Sequence, residues 1–120
     1  MDFNKGDIIE CQETIHPIIF LGDISFDQFY GCMITHAGPR YNTNIAMNES
    51  HFKRVDNHNV PFIIQFDNSY LARIKLIKES NWGPYTKGGE LTVEGLDFVL
   101  YNLRQNQPTT WKRYISKLRR

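Results

Sequence analysis

The sequence predicts a mainly β domain: a small barrel of about five to seven short strands, closed by one or two helices at the C-terminal end. Three observations predict it. Up to residue 77 the chain holds short apolar or alternating runs separated by clusters of Gly, Pro, Asn and Asp, the pattern of strands and turns. From residue 92 onward the apolar residues recur at three and four positions, the helical period. Finally, the runs 16–22 (HPIIFLG) and 29–36 (FYGCMITH) are joined by a turn-rich segment, 23–28, and each has a His at its outer end. Paired antiparallel, they bring the start of the first and the end of the second together, so that His16, Thr35 and His36 share one rim.

The strands read in order as follows. Residues 7–11 (DIIEC) are a short β-rich run, followed by 16–22 and 29–36. Residues 44–47 (NIAM) alternate polar and apolar, 60–66 (VPFIIQF) follow a loop, and 70–77 (YLARIKLI) alternate cleanly from Arg73. The breaks at 38–42, 56–59 and 67–69 hold turn formers. Phe20, Phe29, Phe62 and Phe66 lie within strand runs and read as core.

Residues 82–89 (WGPYTKGG) read as a breaker-rich loop before the helices. Thr92 is the expected N-cap of the first helix, with Glu94 in the first turn where a carboxylate suits the helix dipole. Val93, Leu96, Leu100 and Leu103 are its expected inward face. A second helix is expected to begin near residues 108–110, with Trp111, Tyr114, Ile115 and Leu118 on one face and Lys and Arg on the other.

A chain of 120 residues, 41% hydrophobic and 13% aromatic, can bury one core, so a single domain over 1–120 is expected, with 105–120 a basic helical extension. Apolar stretches stop at about five or six residues where a membrane span needs roughly 20. Residues 1–7 mix charge and Gly with no apolar signal core, so a cytoplasmic location is expected and no membrane partner.

The formal net charge is +1, but it is unevenly spread. Six of the 14 basic residues fall in 104–120, which holds no acid; the remaining eight face 13 acids. A basic appendage on a mildly acidic body suits a polyanion or an acidic protein segment. Cys11 and Cys32 form no C-x-x-C and read as reduced, buried thiols. The four His residues show neither helical nor strand spacing for a metal, so no metal and no cofactor are expected. His51 and His58 fall in turn segments and read as surface groups.

The order of elements resembles the MazF/PemK-like (Kid-like) toxins of bacterial toxin–antitoxin modules. Their opening Lys-Gly-Asp-Ile strand is matched by residues 5–9, their Arg-Pro aliphatic strand is similar to 16–21, and their strand ending in Ile-Thr is similar to Ile34-Thr35. The turn and closing helix look like residues 71–75 followed by 89–103, so the resemblance covers residues 5–104. It implies an SH3-like barrel, commonly a homodimer, that cleaves single-stranded RNA without a metal and is neutralised by a cognate antitoxin. Thr35 matches the family's functional Thr; His16 stands where the family has a functional Arg. The basic segment 109–120 extends past the family's usual end.

The residues themselves suit that chemistry. Cleavage through the 2′-hydroxyl needs a base, an acid and donors for charge on the phosphate. His16 and His36 suit the proton roles, with Thr35 as a donor to a phosphoryl oxygen. For RNA binding the expected residues are Arg40, Tyr41, Trp82, Lys112 and Arg113: cations for phosphate, and loop aromatics for stacking on unpaired bases, with Tyr85 a further stacking ring. The alternative is a non-catalytic SH3-like barrel that binds nucleic acid or poisons a protein target such as gyrase.

Overall fold

The computed structural model describes residues 1–11, 16–38 and 43–118. The fold is mainly β, with eight strands and, at the C-terminal end, two helices among the described residues. The strands are β1 (Asp7–Glu10), β2 (Ile18–Asp23), β3 (Gln28–Thr35), β4 (Asn44–Ala46), β5 (Tyr70–Ala72), β6 (Leu76–Glu79), β7 (Thr86–Glu90) and β8 (Thr109–Thr110). The helices are α1 (Val93–Leu103) and α2 (Trp111–Leu118). The main path runs β4-β5-β3-β2-β1-β7, all antiparallel. Its two ends approach each other: beyond β4, Phe52 pairs with Leu91 in an isolated bridge, and the Lys53 N–H donates to Glu90 O at 2.9 Å.

β3 organises the sheet. One edge pairs with β2, from Ile18↔Met33 to Asp23↔Phe29. The other edge is shared: β5 takes its C-terminal end (Ile34↔Leu71, Thr35↔Tyr70) and β6 its N-terminal half (Gln28↔Glu79 to Gly31↔Leu76). The expected single strand over 70–77 is therefore two. The break at residues 73–75 is a tight turn in which the Ile74 N–H donates to Ala72 O at 2.7 Å. The loop after α1 holds it, through Thr109 N–H to Lys75 O and Asn106 Nδ2 to Arg73 O.

Alternation along β3 sends its residues to two faces. On the first face, Ile8, Ile19 and Cys32 are register neighbours across β1, β2 and β3, and Ile34, Leu71 and Ile45 across β3, β5 and β4. They join Met47, Phe52, Phe66, Leu91, Val99 and Leu103 in the main core. The second face is divided. Ile9, Ile18, Phe20 and Phe29 form one cluster covered by Phe3 and Tyr85. Met33, Ala72 and Leu76 form another under Tyr114 and Trp111 of α2.

Two glycines are required by this packing. Gly22 has φ +151° and ends a bulge in which Leu21 is left between the pairs Phe20↔Gly31 and Gly22↔Tyr30. Gly31 leaves no room for a side chain: a Cβ there would stand 2.6 Å from Ile18 Cγ2.

Four further expectations change. Residues 60–66 form no strand: Pro61 has no N–H to give, Ile63 is 97% exposed, and Phe66 enters the core with Ile64 packed against it while Phe62 is half-buried. Part of the expected loop 82–89 is β7, paired along β1. The inward row of α1 is Gly95, Val99 and Leu103 beside Leu96, whereas Val93 is 80% exposed. The approach of Gly95 to the His51 carbonyl, 2.2 Å from where a Cβ would lie, rotates the helix. Thr92 caps α1 as expected, its Oγ1 accepting from the Gly95 N–H at 3.0 Å. Lastly, His51 is buried: its Nδ1 accepts from the Asn48 N–H at 3.1 Å and its ring stacks on Phe98, centroids 4.3 Å apart.

Candidate functional site

The β2–β3 register builds a polar rim. The Ile34 N–H donates to Pro17 O at 3.0 Å, which extends the pairing one step past Ile18↔Met33 and sets His16 opposite the end of β3 at Thr35. Pro17 suits this entry position because the first strand residue can lack an N–H. The Thr35 side chain is buried, and its Oγ1 accepts from the Ala37 N–H at 3.1 Å. That bond turns the chain out of the strand and leaves His36 exposed.

His16 and His36 feel each other. Partial burial holds the His16 imidazole below its ordinary value, and the charge of His36 lowers it further. Two imidazoles on one rim supply two groups able to take or give a proton. Across the rim, β5 sets Tyr70 opposite Thr35, and Gly38, at φ +68°, lies against the Tyr70 ring. Asn44 Nδ2 donates to Gly38 O at 3.0 Å and anchors the turn.

The other expected site residues fall elsewhere. Arg40 and Tyr41 lie outside the described residues. Trp82 ends a 3-10 turn, Ser80–Trp82, that follows β6 and is tied to Asp27 by the Ser80 N–H at 2.8 Å. This is the Gln28 end of β3, about 23 Å along the strand from Thr35. Lys112 and Arg113 are exposed on α2. Tyr85 is a core cover: its ring meets Phe29 edge-on at 5.3 Å, and its hydroxyl donates to Glu79 O at 3.1 Å.

Two groups escaped the sequence reading. Lys78 of β6 is 4% exposed, with its Nζ 5.4 Å from the Trp111 ring centroid, and burial holds its ammonium below the ordinary lysine value while nearby Cys11 opposes that. Cys11 itself is half-buried and Cys32 fully buried, and both are reduced. The second group is a basic cleft beside the C-terminal end of α1, where Lys5, Arg73, Lys75 and Arg104 converge. Its members span 99 positions of sequence, so only the folded chain assembles them.

No group of three or more His, Cys, Asp or Glu side chains placed to hold a metal ion occurs among the described residues. Among the same residues, no helix is long and apolar enough to cross a membrane. Fold and rim together define a mainly β domain with a histidine pair at one end of its central hairpin. No family model, curated protein or solved structure matches the chain.

Proposed function

We propose that this chain is a metal-independent endoribonuclease acting on single-stranded RNA, the toxin of a bacterial toxin–antitoxin module. It works in the cytoplasm as a homodimeric SH3-like barrel and is silenced by a cognate antitoxin. The observation that supports this reading is the placement of His16 opposite Thr35, next to His36, at the open end of β2 and β3.

His16, disfavoured as a cation, is the base: it takes the proton from a ribose 2′-hydroxyl. The 2′-oxygen attacks phosphorus, the P–O5′ bond breaks, and His36 gives its proton to the departing 5′-oxygen. The products are a 2′,3′-cyclic phosphate and a 5′-hydroxyl. Thr35 Oγ1 accepts from Ala37 and keeps its own O–H to donate toward a phosphoryl oxygen. Arg40 supplies positive charge to the developing oxyanion.

The test is a cleavage assay of mixed-sequence single-stranded RNA with a chelator present. Wild type yields fragments with cyclic phosphate ends, and His16→Ala and His36→Ala each lower the rate by about 100-fold or more with the fold retained. RNA left intact by folded wild type at near-stoichiometric ratio overturns the nuclease and leaves a barrel that binds without cutting.

A further inference from the structure

We propose that the basic cleft at the end of α1 is a binding channel for the phosphate backbone of single-stranded RNA, separate from the histidine rim. Its inner chamber, about 200 Å³, has leucines of β2 and α1 for a floor and Lys5, Lys75 and Arg104 at its edge. An adjoining polar chamber of about 400 Å³ shares Arg104 and is lined by Arg73, Asn102 and Gln105. Among the described residues no carboxylate lines either chamber.

Three cations of this cleft, Lys5, Lys75 and Arg104, differ from the ion-paired cations of the molecule. Lys53, Arg54 and Lys87 are each paired with a carboxylate: Glu90, then Asp67 at 2.9 Å, then Asp7 at 3.2 Å. Among the described residues no carboxylate pairs with Lys5, Lys75 or Arg104. Two of the three are nevertheless held in place by neutral partners. Lys75 Nζ lies 4.5 Å from the Tyr30 ring centroid, and Arg104 Nη1 donates to Tyr101 O at 2.6 Å with the guanidinium over the Tyr101 ring. Fixed cations with no internal counter-charge favour an external anion, and amide side chains beside an apolar floor suit an unstacked base next to its phosphate.

The channel also leads toward the rim. The polar chamber includes Thr43, next to the Asn44 that anchors Gly38, and Arg73, three residues along the chain from the Tyr70 that faces Thr35. A strand bound in the cleft can therefore reach the rim within a few nucleotides. The choice of RNA over another polyanion rests on the proposed function.

The experiment measures fluorescence anisotropy of a short mixed-sequence oligoribonucleotide, 2′-O-methylated so that the 2′-oxygen cannot attack. Wild type is compared with the triple variant Lys5→Gln/Lys75→Gln/Arg104→Gln, and with Lys53→Gln/Arg54→Gln, exposed cations outside the cleft, as the control. The triple variant is expected to bind about tenfold or more weakly, with the slope of log affinity against log salt shallower by about two; the control stays within about twofold. If the triple variant fails to give a wild-type circular dichroism spectrum, the three single variants replace it, each expected to lose about twofold to threefold. Wild-type affinity and salt slope in the folded charge variants, or an equal loss in the Lys53/Arg54 control, overturns the channel. Wild type that binds through the cleft yet leaves unmodified RNA intact upholds the channel and refutes the nuclease. Wild type that cuts RNA while the charge variants bind normally does the reverse.

Discussion

The two faces of β3 are built on different principles. On the first face, aliphatic neighbours follow one another across strand after strand, Ile8 to Ile19 to Cys32 and Ile34 to Leu71 to Ile45, so one continuous core forms and α1 covers it. On the second face Gly31 offers no side chain, Lys78 brings a charge, and Thr35 ends the row, so two small clusters stand apart under separate covers. Each fully buried aliphatic side chain stabilises by roughly 1.5–3 kcal/mol, and the continuous face holds most of them. The molecule keeps its polarity at the end of the divided face. The first face carries the folding energy, which frees the end of the second to hold a buried Thr and a pair of histidines.

Two substitutions test that division, the larger effect first. Gly95→Ala puts a methyl into the His51 carbonyl, backbone against backbone, where neither side can yield cheaply. It is expected to cost about 3 kcal/mol in urea-induced unfolding, because α1 must lift from the continuous core. Tyr114→Ala removes the anchor of α2 from the second face, where the small cluster can partly collapse, and is expected to cost about 2 kcal/mol. A larger loss at Tyr114 than at Gly95 would mean that the divided face carries the fold.

What the sequence displays and what it conceals follow the same line. Strands β1 to β4, the Thr92 cap and both helices were legible because each is a local pattern: alternation, a turn former, a period. The meeting of His16, Thr35 and His36 was legible because antiparallel pairing of two adjacent runs dictates it. The turn at Arg73–Lys75 was not, since alternation continues straight through it and only the pairing of β3 with two partners breaks the strand. β7 hid in a segment with Gly88 and Gly89, residues that carry no face pattern; a Cβ at Gly89 would meet the Phe66 ring at 2.6 Å. The face of α1 is hidden because Gly95 looks like a weak helix residue and is in fact its closest contact. His51, read as a surface group, is buried by that same contact, and the basic cleft needed residues from both ends of the chain.

The smallest expected effect is one of pH, and it separates the faces by their histidines. Burial holds His51, beneath α1, below the ordinary histidine value of 6.5, and the carboxylate of Glu94 pulls weakly the other way. His16, on the second face, is lowered by burial and then by His36. For both, the unfolded chain binds a proton more readily than the folded one. Stability is thus fully present above pH 6.5 and falls as the pH drops through the window between the unfolded and the folded value. Protonation of His51 Nδ1 also removes the acceptor for the Asn48 N–H. Thermal melts between about pH 7.5 and pH 5 should show a falling Tm in wild type, a shallower fall in His51→Gln and in His16→Gln, and a steeper one in Glu94→Gln. The size of each change assigns acid sensitivity to a face. If His51→Gln leaves the slope intact while His16→Gln flattens it, the continuous core is insensitive to acid and the rim alone responds to protons.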